Sequence, residues 1–298
     1  MLGYRHAFHA GNYADVFKHF VLSEVLYHCV QKDKALRVID THAGAGLYAL
    51  SGGYASKNFE FENGIDRLLK VSKALPVAVA RYVEHILQGV HQLRLSAGTQ
   101  DVRSLEESTL ALPPNLTHYL GSPLLAATYL RPQDQMYLFE LHPTDHKKLV
   151  KQFATHARVK VSCSDGFKGL QSTLPPPSRR AVILMDPSFE MLTDYAAVEH
   201  ALQESLKRFA TGVYLIWYPC LALRESQQLA ARLKPLSAHW LNARLTVHTH
   251  LRAGLYGCGM FVVNPPWTLP STLDSCLPVL CELLAQDETA STTLECSV

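Results

Sequence analysis

The chain predicts an α/β fold: a seven-stranded, mostly parallel sheet with helices on both faces and an inserted helical subdomain. Three observations lead there. Seven short, β-rich apolar runs each stop at polar or glycine-containing residues, at Leu36–Asp40, Met136–Glu140, Arg158–Ser162, Ala181–Asp186, Gly212–Trp217, Arg244–His248 and Gly259–Val263. Helical segments separate most of them, the pattern of strands joined by crossover helices. The last two lie close together with glycines between them, which suits a hairpin.

The first helix is expected from about Tyr13 to Val30, with Val16, Phe20, Val25 and Leu26 near helical spacing. Asn12 before it is a capping residue, because its side chain can accept a free amide of the first turn. Between the first and second strands lie about a hundred residues, where an α/β unit needs roughly thirty. Val79, Val83, Ile86, Leu87, Val90 and Leu93 recur there at helical spacing. Residues 54–120 are therefore expected to form the inserted helical subdomain, with Pro113 and Pro114 in the loop that returns to the sheet. The expected organisation is an arm, helix and first βα unit over 1–53, the insertion over 54–120, the rest of the α/β domain over 121–285, and a frayed polar tail over 286–298.

Composition narrows the setting. The 298 residues carry 48% hydrophobic and 18% charged residues, an ordinary globular balance rather than a disordered one. A net charge of +2 is compatible with a nucleic-acid partner but weaker than dedicated binding domains show. Neither a signal-peptide stretch nor a run of ~20 apolar residues is visible, so no membrane association is expected. Seven cysteines without a C-x-x-C pair read as free thiols in a reducing cytoplasm.

In an open sheet of this kind, ligands bind beyond the carboxyl ends of the strands. Asp40-Thr41-His42-Ala43-Gly44-Ala45-Gly46 follows the first strand, and glycines there let the backbone turn and approach a ligand. Gly44 to Ala49 also fits G-x-G-x-x-G/A, which keeps a nicotinamide oxidoreductase open. Glu140 ends the second strand and can accept from both hydroxyls of a ribose; Asp165-Gly166 ends the third, where Asp165 can take an adenine amino group. Each can equally be a loop carboxylate or a helix cap.

The discriminating feature is Asp186-Pro187-Ser188-Phe189 after the fourth strand. Amino methyltransferases carry [D/N/S]-P-P-[Y/F/W] there. The adenine 6-amino nitrogen is a poor nucleophile because its lone pair is delocalised into the ring. A side-chain oxygen and the carbonyl of the following proline can each accept one of its hydrogens, and the aromatic residue stacks on the extruded base. Asn264-Pro265-Pro266-Trp267 fits the same pattern better but follows the last strand, away from the expected ligand. It reads as a proline-fixed turn with a packed tryptophan. The opening arm, Tyr4-Arg5-His6-Ala7-Phe8-His9, interleaves rings and cations as single-strand binders do. His6, His9 and His19 as a metal site lack the usual carboxylate or cysteine partners.

These blocks resemble one family. YRHAFHAGNYADVFKH, DTHAGAG, GSPLLA, ELHP, SDGF, the DP tetrapeptide, WYP and NPPW occur in the order found in bacterial 23S rRNA (adenine-N(6))-methyltransferases of the RlmJ type. The resemblance spans nearly the whole chain and is poorest in the insertion. It implies a Rossmann-like class I S-adenosylmethionine-dependent fold and a cytoplasmic monomer that methylates adenine in 23S rRNA without metal. It also implies cofactor contacts at His19, His42, Gly44, Gly46, Ser122, Glu140, Asp165 and Gly166. Asp186, with Pro187 and Phe189, takes the catalytic position, and Tyr4, His6 and Lys18 fall in the RNA-binding block. The family reads D-P-P-Y where this chain has Ser188 and Phe189, so an RNA-binding relative with a decayed tetrapeptide stays open as an alternative.

Overall fold

A computed structural model describes residues 6–50, 59–96, 116–252 and 254–297. Helix α1, Tyr13–Val30, begins as expected, with Asn12 Oδ1 accepting from the amides of Ala14 and Asp15 at 3.0 and 2.9 Å. Val16, Phe20, Val25 and Leu26 are fully buried, but so are polar residues around the rest of the helix, including Asp15, Lys18, His19, Ser23 and Glu24. A helix covered on every side must satisfy its polar groups internally. Glu24 does so by accepting from Arg81 at 2.9 Å.

The eight-stranded sheet is built on β1, Arg37–Asp40, which pairs in parallel with β4, Gln135–Phe139, on one side and β6, Ala181–Met185, on the other. Beyond β4 lies β5, Val159–Ser162, and beyond β6 lies β7, Val213–Cys220, both parallel to their neighbours. Strands β9, Gly257–Val263, and β8, Trp240–Thr246, extend the sheet antiparallel and form the expected hairpin. An additional two-stranded ribbon pairs β2, Leu47–Ala49, with β3, His118–Leu120.

Two details differ from expectation. The segment after Gln286, expected to fray, forms β10, Ser291–Cys296, antiparallel to β8. An edge strand exposes one face, so its threonines need no apolar alternation to hold the ladder. Strand β8 starts at Trp240 rather than near Arg244, because the buried Asn242 interrupts its apolar pattern; its side-chain oxygen accepts from the Tyr218 hydroxyl at 2.7 Å.

Of the long segment between β1 and β4, α2, Ile65–Leu69, and α3, Val77–Ser96, pack with α1 through one continuous core. Tyr82 of α3 meets Phe20 of α1 edge-on, ring centres 6.3 Å apart. The ribbon then returns the chain to the sheet, with Gly121 donating to Gly46 at 2.7 Å. This places α4, Ser122–Ala127, beside the end of β1. Five further helices are described: α5, Pro143–Gln152; α6, Gly166–Thr173; α7, Leu192–Arg208; α8, Arg224–Leu233; and α9, Leu269–Leu284. Among the described residues no helix is long and apolar enough to cross a membrane.

Candidate active site

The carboxyl ends of β1, β4, β5 and β6 open into one cleft of about 960 Å³, closed on its other side by the start of α1. It gathers His6, Lys18, His19, His42, Gly44, Ser122, Glu140, Asp165, Gly166, Asp186, Pro187 and Phe189 from the expected set. Tyr4 lies outside the described residues. Gly46 does not line the cleft; its backbone turns at φ +79° toward Leu149, and it serves the ribbon junction instead.

One half of the cleft is a cradle of backbone amides and carboxylates. Glu140, just past β4, accepts from the amide of Gly44 at 2.8 Å and that of His142 at 2.6 Å. Gly44 adopts φ +64°, the left-handed region that glycine enters at no steric cost. Burial pushes the Glu140 carboxyl upward, against the two amides that favour its charge. Asp165 caps α6, accepting from Phe167 at 2.9 Å. The next residue has to be glycine, because a Cβ at Gly166 would lie 2.0 Å from the Thr41 carbonyl oxygen. Ser122 donates to Asp40 at 2.6 Å, and the His42 amide to the same carboxylate at 3.1 Å. Burial lifts Asp40 to about 6.

Burial acts on two histidines of the wall as well. Burial lowers His42, whose Nδ1 lies 2.8 Å from the Thr41 hydroxyl, and brings fully buried His19 down to about 3. His19 Nδ1 is 2.8 Å from the Tyr119 hydroxyl, which lies 2.8 Å from that of Tyr82. Its Nε2 has no partner among the described residues, a buried polar atom that a ligand of the cleft can satisfy.

The other half centres on Asp186. Lys18 Nζ donates to Asp186 Oδ2 at 2.6 Å and to Asp15 Oδ1 at 2.8 Å. Asp15 Oδ2 also takes His6 Nε2 at 2.8 Å and the Gly11 amide at 3.0 Å. Burial alone would push the Asp15 carboxyl up and the Lys18 ammonium down. Their mutual attraction, with His6 and Asp186, outweighs that and leaves Asp15 well below and Lys18 well above their ordinary values. Lys18, expected in the RNA-contacting block, is thus buried and committed to two carboxylates.

Asp15 was not anticipated, although its i,i+3 spacing from Lys18 on a capped helix was a readable signal. Phe189 sits at φ +53°, with its ring buried against Tyr195 and Trp217 at centre distances of 4.8 and 6.0 Å.

The second tetrapeptide is elsewhere. Val263, before Asn264, pairs with Tyr214 near the start of β7, whereas Met185, before Asp186, pairs with Ile216 further along that strand. Asn264 Nδ2 donates to the carbonyls of Ala210 and Gly212 at 2.7 and 2.8 Å, fixing a turn. Trp267, expected to pack, is 84% exposed, with His28 edge-on at 6.1 Å. Among the described residues there is no group of three or more side chains able to hold a metal ion.

The chain is similar to known proteins along nearly its whole length. The model of a family described as "Ribosomal RNA large subunit methyltransferase D, RlmJ" matches residues 33–109 and 102–298. The chain is 39% identical over 300 residues to ribosomal RNA large subunit methyltransferase J of Haemophilus influenzae, covering 99% of this chain and 98% of that one. It is 38% identical over 299 residues to the Escherichia coli K12 protein of the same name, with the same coverages. A crystal structure of protein LPL1258 from Legionella pneumophila superposes with a TM-score of 0.84 at 31% identity, covering 97% of this chain and 98% of that one. The chain belongs to the RlmJ family of ribosomal RNA large subunit methyltransferases, enzymes whose methyl donor is S-adenosylmethionine.

Proposed function

We propose that this enzyme, acting as a monomer in the cytoplasm, methylates the 6-amino group of an adenine in 23S ribosomal RNA. The observation that carries the reading is Asp186, held at the end of β6 by Lys18 on the wall of a cleft large enough for a nucleoside cofactor and an entering base. The relatives' printed names supply the ribosomal RNA.

The residues of the cradle fit the cofactor. Glu140 keeps acceptor capacity beyond its two amides for a pair of ribose hydroxyls and Asp165 for an adenine amino group, with Gly44 and Gly166 also lining the cleft. The unpartnered His19 Nε2 gives a further polar contact, with His42 and Ser122 beside it along the cleft. When bound, S-adenosylmethionine supplies an electrophilic methyl group on a sulfonium.

The chain's own groups prepare the nucleophile. Lys18 occupies Asp186 Oδ2, so Oδ1 is the acceptor for one amino hydrogen, and the Pro187 carbonyl accepts the other. Both contacts localise the nitrogen lone pair. Phe189, backed by Tyr195 and Trp217, provides the aromatic wall against the base. Positioning supplies most of the rate, and Asp186 takes the proton lost once the methyl has transferred.

Incubation of the protein with unmodified 23S rRNA and labelled S-adenosylmethionine tests this. Label recovered as N6-methyladenine is expected; bound cofactor with no label in adenine overturns it.

A further inference from the structure

Burial of the site has a consequence for the RNA. The Asp186 side chain is only 13% exposed and Phe189 is buried. An adenine stacked between its neighbours cannot bring its amino group to such an atom, so it must leave the stack. Extrusion costs stacking free energy and opens a gap in the RNA. Enzymes and architectural proteins that unstack nucleic acid meet that gap with apolar side chains held beside it.

This chain holds such a pair at the required place. Met191 and Leu192, immediately after the tetrapeptide, are 63% and 58% exposed. Exposed apolar side chains are unremarkable singly, but two in succession at the rim of the cleft ask for an occupant. Met191 itself lines the cleft. The pair is also fixed rather than loose. Phe189 adopts the left-handed φ of +53°, a conformation costly for an aromatic residue and held here by its ring packing on Tyr195 and Trp217. Its ring points inward while the chain emerges at the rim. There Met191 caps α7, its amide donating to Asp194 Oδ2 at 3.3 Å and its carbonyl accepting from the Asp194 amide at 2.9 Å.

We propose that Met191 and Leu192 form an apolar wedge that contacts the bases flanking the target adenine and fills the space it vacates. The proposal rests on the reading of the cleft as an adenine-N6 site. The occupant is RNA because the surface is continuous with the cleft that the base must enter.

The test uses the full chain, wild type and Met191→Ala/Leu192→Ala, on two stem-loop RNAs carrying the mapped target adenine. One pairs it; the other places an abasic site opposite, which lowers the cost of extrusion. Both side chains are exposed, so the melting temperature and S-adenosylhomocysteine affinity serve as folding controls. The expected result is a loss of about tenfold in kcat/KM on the paired RNA that shrinks to twofold or less on the abasic RNA. Equal loss on both RNAs, or loss on neither, overturns the wedge while the adenine reading stands. Failure of the wild type to methylate either RNA overturns both.

Discussion

Lys18 Nζ bridges two carboxylates, 2.6 Å from Asp186 Oδ2 and 2.8 Å from Asp15 Oδ1, at a buried point where α1 crosses the end of β6. A lysine in that position is less a phosphate contact than a clamp. It lies between two carboxylates that would otherwise repel, and on the proposed reading it leaves Asp186 Oδ1 to accept a hydrogen. Substitution Lys18→Met keeps the length and removes the charge. Stopped assays are expected to show kcat reduced roughly 100-fold, the scale of a lost acid–base partner. S-adenosylhomocysteine affinity should stay within about threefold, because the cradle is unaltered. Urea unfolding is expected to show a loss of about 3 kcal/mol, since one partner of a buried ion pair has been deleted. Unchanged kcat would mean that Lys18 is a structural tie alone.

Placement, not motif quality, separates the two tetrapeptides, and the separation can be measured. Asp186→Ala is expected to abolish methyl transfer while calorimetric binding of S-adenosylhomocysteine persists. Asn264→Ala is expected to leave kcat near wild type and to lower stability by about 1–3 kcal/mol, through two lost hydrogen bonds and a left-handed φ of +53° that alanine adopts less readily. Loss of transfer in the second variant rather than the first would exchange their roles.

What the sequence disclosed follows the physics of each element. The parallel strands were legible because buried strands are continuous apolar runs ending in polar residues, as Ala181–Met185 with Asp186 shows. The α1 cap was legible because capping is local, one asparagine and two amides. β10 was not, because its threonines carry no hydrophobic signal and its pairing with β8 spans more than forty residues. Glu140, Asp165 and the turn at Gly44 could be placed at this cleft from the strand ends, whereas His19 and Ser122 entered only through the family resemblance. The Asp15–Lys18–Asp186 bridge could not, because it joins positions 168 residues apart through burial that no local pattern encodes.

Asp40 gives the site a pH signature. Burial raises its carboxyl to about 6, despite hydrogen bonds from Ser122 and the His42 amide that favour the charged form. The folded state therefore holds a proton that the unfolded chain, near pH 4, has already released. Stability from this group is full below pH 4 and declines as pH rises to about 6, by ~3 kcal/mol for a shift of about two pH units. Asp40→Asn keeps an oxygen for the His42 amide and offers an N–H to the Ser122 hydroxyl. The variant should be more stable than wild type at pH 7 by up to that amount. The difference should vanish toward pH 4 in urea titrations across the range. A wild-type advantage at pH 7 would show that the ionised carboxylate is the better-satisfied form.

Ser188 replaces a proline of the family pattern, the larger of the tetrapeptide's two departures from it, and its position tells how much that matters. Its side chain is exposed at the cleft wall, between buried Pro187 and buried Phe189, while Phe189 keeps its left-handed turn through packing on Tyr195 and Trp217. The loop is thus held by its neighbours rather than by a second proline ring. Ser188→Pro is expected to change kcat by less than about threefold and to raise stability by at most ~1 kcal/mol, through reduced freedom of the unfolded chain. If the natural protein were instead inactive and gained transfer on this substitution, the tetrapeptide would have decayed and the chain would act by binding RNA alone. Single-turnover methylation of 23S rRNA by both proteins, side by side, distinguishes the two. The Lys18–Asp186 contact, which depends on neither side chain at position 188, favours the first outcome.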